Sequence, residues 1–368
     1  MIPMTLYRKY RPQKLSELDS SEVKDRLIKI FSSSFTPHAL LFAGTKGTGK
    51  TSAARIVAKV LNCEIRNKKQ ETRNKNEVEP TTNIEPCNKC ENCISITEGR
   101  NLDVLEIDAA SNRGIDEIRD LREKIKLTPV SLRFKVYIID EVHMLTTEAF
   151  NALLKTLEEP PSHAVFILAT TEAEKLPETI LSRCIIFNFK KATAAEIIHC
   201  LTRVSEGEKV EIDNKLFDKI ASAADGSFRD ATKILEQAIS ENALSEEKLS
   251  VLLGRDSLTA MKFLELFVTN DLSKILFEIN KISLTGANFR YLVEDVLKLL
   301  HQILLANHGI NEGKINEEVL KHFDQKDVLV LIKLFSKVFV ELKNTSIPQL
   351  PLEVAVVEWC TRKGGEHV

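Results

Sequence analysis

At 368 residues the chain has room for two or three domains, each large enough for its own core. Its 51 basic and 53 acidic side chains nearly cancel, which excludes an overall pull toward nucleic acid and leaves any such contact to a local patch. No apolar run approaches a membrane span, the N-terminus does not read as a signal peptide, and seven cysteines without an export signal argue for thiols or metal, so a cytoplasmic setting is expected.

Residues Tyr7-Arg8-Lys9-Tyr10-Arg11-Pro12 set two aromatics and three cations before a proline. Such a cluster can stack on a base and hold phosphates, or be a solvated basic tail. A helix is expected over 21–31, with Val23, Leu27, Ile30 and Phe31 on one face. The apolar run 39–43 predicts a strand buried on both faces, and 52–61, rich in helix formers, predicts a helix. Between them lies Gly44-Thr45-Lys46-Gly47-Thr48-Gly49-Lys50-Thr51, with G-x-x-x-x-G-K-[ST] spacing. The glycines let backbone N–H groups turn inward around phosphate oxygens, and the helix N-terminus adds its positive partial charge. Lys50 then reaches the β- and γ-phosphates, and the Thr51 hydroxyl ligates Mg²⁺. The chain is expected to bind a nucleoside triphosphate.

After Cys63 comes a polar stretch, 64–86, too poor in aliphatic residues to bury much; it reads as a surface excursion or a partly disordered loop. It ends at Cys87-Asn88-Lys89-Cys90-Glu91-Asn92-Cys93. Three cysteines at C-x-x-C-x-x-C spacing, with Cys63 as a fourth, suit a tetrahedral Zn²⁺ site that pins the base of the loop. A redox pair, an iron–sulfur cluster or bare thiols are the alternatives. Cys184, Cys200 and Cys360 sit singly in apolar surroundings and are expected to pack.

Strands are expected at 102–107, 134–139, 165–169 and 185–189, with an amphipathic helix over 115–125 and another that carries Phe150, Leu153, Leu154 and Leu157 and stops at Pro160-Pro161. The strand at 134–139 runs into Asp140-Glu141, two carboxylates at the C-terminal lip of a parallel strand, where open α/β sheets bind ligands. Asp140 suits a role at Mg²⁺, and Glu141 suits polarising an attacking water. Thr170-Thr171 places a hydroxyl where it can feel a γ-phosphate or a water. Between residues 178 and 347 there is no proline, and the pattern turns helical. Gly226 ends one helix and Ser227 caps the next, which carries Arg229 in its first turn. Cations are usually placed at the opposite end of a helix, so Arg229 points to an anion nearby. The stretches 292–305 and 328–342 have leucine-rich faces suited to packing in a bundle or against other subunits.

These features, in this order, closely resemble the AAA+ ATPases of clamp loaders, above all the gamma/tau subunits of bacterial DNA polymerase III. The wording at 7–12, Glu106-Ile107-Asp108-Ala109-Ala110-Ser111, Tyr137-Ile138-Ile139-Asp140-Glu141-Val142-His143-Met144-Leu145 and Phe150-Asn151-Ala152-Leu153-Leu154-Lys155-Thr156-Leu157-Glu158-Glu159-Pro160-Pro161 carries the likeness. It is dense from residue 5 to about 240 and topological beyond. The resemblance implies an α/β P-loop AAA+ domain at 1–189, a parallel sheet flanked by helices with a zinc module inserted at about 63–93. A helical lid at 190–242 and a helical collar for oligomerisation at 243–368 would follow. It implies that Gly44, Gly47, Thr48, Gly49, Lys50, Thr51 and Ser52 hold ATP and Mg²⁺, that Asp140 positions the metal, and that Glu141 activates water. Thr171 becomes the first sensor and Arg229 the second, while Arg183 in Ser182-Arg183-Cys184 becomes an arginine finger offered in trans. Tyr7, Arg8, Tyr10, Arg11 and Pro12 would line the other side of the nucleotide, and Cys63, Cys87, Cys90 and Cys93 match the family's zinc module.

The implied function is that of an ATP hydrolase within the polymerase III holoenzyme, not itself a polymerase. Its partners would be delta- and delta-prime-like subunits, copies of itself, the sliding clamp and primed DNA. DNA contacts would go to phosphates, independent of sequence, with residues 111–113 and the basic residues around 119–126 as candidates. Another AAA+ DNA-remodelling or helicase-loading ATPase would share the site but lack the zinc module, and a non-hydrolysing ring subunit would typically lose the loop lysine or the acids, which this chain keeps. Two departures stand out: Asp19-Ser20-Ser21 replaces the family's Val-Gly-Gln run beside the base, and 64–86 is longer than the usual spacing. The chain ends near the expected end of the collar, which suggests a short gamma form or a truncated chain.

Overall fold

The computed structural model describes residues 5–33, 36–65, 84–111, 121, 123–253, 260–284, 289–309, 323–343 and 345–365. Five parallel strands form one sheet: β1 (Ala39–Gly44), β2 (Val104–Asp108), β3 (Lys135–Asp140), β4 (Ala164–Thr170) and β5 (Ile185–Phe189), in the order β2-β3-β4-β1-β5. Successive side chains of a strand point to opposite faces, and here both faces are covered. Leu40, Phe42, Ile138 and Ile167 join a core with Leu27 and Phe31 of the helix Ser21–Ser32 and Ile56, Val57 and Val60 of the helix Lys50–Asn62. Leu41, Tyr137, Ile139, Phe166 and Leu168 pack on the other side against Phe150, Leu153 and Leu157 of the helix Thr147–Glu158.

Register places Leu41 between Leu168 and Ile186, and Asp108 opposite Asp140. The C-terminal ends of β1, β3 and β4 therefore reach one edge together, and the loops after β1 and β3 face a common crevice. The expected strand at 102–107 begins two residues later, at Val104. Leu102 is exposed, and Asp103 is buried but used as a cap: its carboxylate accepts the amides of Val130, Ser131 and Leu132 at 2.7–3.0 Å. Those bonds hold the turn that feeds β3.

The helices Ala194–Glu208, Asn214–Ala223 and Phe228–Ser240 complete the first compact unit, Met1–Glu241. Each starts on a side-chain cap, Thr193, Asp213 and Ser227 respectively; Thr193 and Glu196 form a reciprocal capping box. The second unit, Asn242–Val368, is helical among its described residues. Its core gathers Phe263, Phe267, Phe335 and Trp359, whose rings pack edge-on or tilted at centroid distances of 5.2–6.3 Å. The leucine-rich stretches fall on the helices Phe289–Asn307 and Gln325–Glu341.

Burial alone would raise the Asp103 pKa, but the amides of Ser131, Val130 and Leu132 outweigh it and hold the carboxyl below its ordinary value. A depressed carboxylate stabilises the fold above its unfolded pKa of about 4, and that contribution is lost as pH falls through the lower folded value. Asp103→Ala is expected to cost about 3 kcal/mol at neutral pH, because buried amides lose their acceptor. Urea unfolding of wild type and variant across pH 2–7 should show the gap closing below about pH 4.

Candidate nucleotide and metal sites

β1 ends at Gly44, and the helix Lys50–Asn62 starts after Gly49, which has a positive φ and offers no side-chain cap. The first amides of that helix therefore remain available to an anion. Gly47, at φ +82°, is required by a close approach: a Cβ there would lie 2.0 Å from Ser227 Oγ, at the start of the helix Phe228–Ser240. The loop and that helix meet backbone to side chain. Lys50 is buried, and its Nζ donates to the carbonyls of Gly44 (2.6 Å) and Thr45 (2.9 Å). Burial lowers its pKa, while Glu141 and Asp140 pull it back up. An ammonium held this way gains from any anion that enters the loop.

The Thr51 hydroxyl donates to Asp140 Oδ2 at 3.0 Å. Two neighbouring oxygens around an octahedral Mg²⁺ at about 2.1 Å lie about 3.0 Å apart, so the pair has the spacing of adjacent ligands. Asp140 Oδ1 accepts the Glu141 amide at 3.0 Å, and Glu141 itself adopts a left-handed conformation at φ +49°. That turn aims its carboxylate across to β4, where Oε2 accepts from the Thr171 hydroxyl (3.0 Å) and amide (3.3 Å). His143 Nδ1 lies 3.0 Å from the buried Thr170 hydroxyl and 3.5 Å from Glu141 Oε2.

One cavity gathers Lys46 to Ser52, Asp140 and Glu141 with Tyr7, Arg8, Tyr10, Arg11 and Pro12, and with Arg229. The Arg229 guanidinium sits 4.8 Å from the centroid of the Tyr7 ring. The cavity is also lined by Leu18, Asp19, Ser20 and Val23 and by Cys200, Arg203, Val204, Phe228 and Thr232. The Asp19 side chain is enclosed there, accepting from Arg203 Nη1 (3.1 Å) and Nη2 (2.9 Å) and lying 3.2 Å from His199 Nδ1. Lys9 Nζ pairs with Glu208 at 2.7 Å, and Tyr10 lies against Gly207, where a Cβ would come within 2.2 Å of its ring. Arg183 lies outside this cavity, bound to Glu158 (2.6 Å) and to the Thr179 carbonyl (2.8 Å).

The four sulfurs of Cys63, Cys87, Cys90 and Cys93 all lie within 4.8 Å of one another. Thiolates around Zn²⁺ at about 2.3 Å sit about 3.8 Å apart, and Cys87 and Cys93 are at 3.9 Å. Backbone amides point at the cluster, among them Cys87 to Cys63 Sγ and Lys89 and Cys90 to Cys87 Sγ, at 3.3–3.4 Å. The neighbouring Cys63 sulfur and burial push the Cys93 thiol well up, a crowding that a bound cation relieves. Sulfur donors at this spacing fit zinc. Cys184 and Cys200, by contrast, are pushed up to about 12 by burial and pack as inert thiols.

A family model described as DNA polymerase III, delta subunit, matches residues 20–193, and one described as the ATPase lid domain of the DNA polymerase III clamp loader subunit matches 196–243. The DNA polymerase III subunit gamma of Buchnera aphidicola subsp. Schizaphis graminum is 38% identical across 96% of this chain and 98% of its own. The chain belongs to the gamma/tau family of DNA polymerase III subunits. Subunit tau of Bacillus subtilis is 40% identical across 96% of this chain and 63% of its own, and that of Escherichia coli is 40% identical across 82% and 45%. The chain thus spans less than two thirds of these tau relatives. The RuvB branch-migration motor of Thermotoga maritima, at 17% identity and a TM-score of 0.48 over 87% of this chain and 90% of its own, is too distant to bear on what the chain does.

For this gamma/tau family member, the structure brings the loop, both acids, Arg229 and the 7–12 segment together. Thr171 lies one step away, on Glu141. Of the DNA candidates, Asn112, Arg113, Arg119 and Arg122 lie outside the described residues, as do 66–83 of the polar loop and most of the helix expected over 115–125. Sequence reasoning missed Arg203 and the use made of Asp19, whose replacement of an apolar residue was the available signal. It also missed Lys59, a lysine set among Ile56, Val57 and Val60. Cys63→Ser is expected to lower bound zinc from one equivalent toward zero and to reduce the thermal midpoint, read by metal analysis and calorimetry.

Proposed function

We propose that the chain is an ATPase subunit of a DNA polymerase III clamp loader, binding ATP in the cavity at the end of β1. The observation that carries this reading is the convergence, in a chain of this family, of the glycine loop, two strand-end acids and Arg229 on one cavity. The loop amides and Lys50 take the phosphates, with Lys50 exchanging its two carbonyl partners for phosphate oxygens. Thr51 and Asp140 would hold Mg²⁺, which supplies charge neutralisation at the β- and γ-phosphates. Glu141 polarises the attacking water after its carboxylate leaves Thr171, and Thr171 serves as the first sensor. Arg229 reaches the γ-phosphate from the lid at 190–242. Tyr7, Arg8, Tyr10, Arg11 and Pro12 flank the base and sugar.

Arg183 is the finger for a neighbouring subunit's ATP, a role supported by its position outside the lining of its own cavity. The region 243–368 acts as the collar, with other loader subunits and copies of the chain as partners. Binding of ATP opens the sliding clamp and grips primed DNA through phosphates, and hydrolysis releases it. Zinc in the four-cysteine site is structural. Among the described residues no helix is long and apolar enough to cross a membrane, and a replication role places the protein in the cytoplasm.

An ATPase assay with and without the other loader subunits, clamp and primed DNA tests the reading; activity indifferent to all of them would overturn it. Lys50→Ala is expected to abolish detectable ATP binding by fluorescent-nucleotide titration. In the assembled loader, Arg183→Ala should slow hydrolysis by about 10³-fold while nucleotide binding stays within about twofold. Loss of binding in that variant would contradict action in trans.

A further inference from the structure

The 7–12 segment that walls the cavity continues into residues 13–18, which form no regular secondary structure. Their polar contacts run largely to the cysteine module. The Glu85 carboxylate, two residues before Cys87, accepts the amides of Leu15 and Ser16, each at 2.7 Å. Asn88, between Cys87 and Cys90, donates from Nδ2 to the Gln13 carbonyl at 3.1 Å. Lys59, 1% exposed in the helix that begins at the glycine loop, donates to Gln13 Oε1 (2.6 Å) and Asn88 Oδ1 (2.8 Å), with Thr97 Oγ1 at 3.3 Å. Leu15, fully buried, packs in the same core as Ile84 and Ile96 of the module. One residue past the stretch, Asp19 is held by Arg203.

From this network we propose that the metal-bound cysteine module is a brace for the nucleotide-facing segment, with Glu85, Asn88 and Gln13 as positioning residues, so that zinc at the cysteines raises nucleotide affinity. The helix Glu91–Glu98 has only eight residues, three of them buried, so bonds from the four cysteines to a metal would supply much of what holds the module in shape. Glu85 and Asn88 are within two residues of those cysteines and transmit that shape to Gln13, Leu15 and Ser16. With the brace in place, Arg11 and Pro12 are held at the cavity wall before ligand arrives. Without it, only a fraction of chains present the wall, and the apparent affinity falls by that fraction.

The inference rests on reading the cavity as a nucleotide site, and two readouts keep the two apart. Hydrogen exchange at Leu15 and Ser16, measured without nucleotide, reports the brace; titration with a fluorescent ATP analogue reports its effect on the cavity. The samples are zinc-loaded wild type, wild type stripped with chelator and then reloaded, and zinc-loaded Glu85→Ala, with Gln13→Ala in its place should Glu85→Ala lose its metal. Faster exchange at Leu15 and Ser16 and about tenfold weaker nucleotide binding in both stripped protein and variant, restored on reloading the wild type, are expected. Unchanged exchange overturns the brace. Faster exchange with unaltered affinity overturns its coupling to the cavity. A zinc-loaded wild type that binds no nucleotide overturns the reading of the site, and the coupling with it, while the exchange data still report the brace.

Discussion

An ammonium enclosed beneath its own glycine loop is the condition the first unit is built around. Lys50 has two main-chain carbonyls and the field of two nearby acids in place of water, which suffices to keep it folded in but leaves it drawn to a stronger anion. The surrounding polar groups divide by sign to suit that. Arg8, Arg11 and Arg229 ring the loop, while Asp140 and Glu141 are tied down by a hydroxyl, a turn and Thr171. An anion entering the loop would meet the cations, and a divalent metal beside it would meet the two acids.

The parallel sheet makes this possible by position. With β1 between β4 and β5, and β3 beyond β4, three strand ends open on one edge, so groups far apart in sequence arrive without long side chains. The N-terminal segment then closes the cavity from outside the sheet. It is held at the lid through Lys9–Glu208 and Asp19–Arg203 and at the cysteine module through Glu85. Beyond the single helical turn Leu6–Lys9, a stretch with no helix or strand of its own is thereby ordered from both ends.

Most of the sheet and the glycine-loop side of the candidate site were legible in the sequence, because local pattern decides them. Apolar runs ending in glycine or in paired acids are short-range signals, and Ser227 before Arg229 is a cap whatever surrounds it. The opposite wall of the cavity was not legible, since it depends on pairing across the fold. Asp19 reads as a mere departure until Arg203 lies beside it, and Lys59 as an oddity until Gln13 and Asn88 surround it. Leu102 misled for the opposite reason: it prolongs an apolar pattern, but the cap made by Asp103 starts the strand after it.

The approach of Gly47 to Ser227 has an evolutionary consequence. Because a Cβ at 47 would strike the Ser227 hydroxyl, the residue allowed at that loop position depends on the helix that faces it as well as on phosphate binding. Drift at either place is constrained by the other, and the two should be inherited together. A chimera joining this loop to a lid from a distant relative would carry that mismatch at the point where the two segments touch.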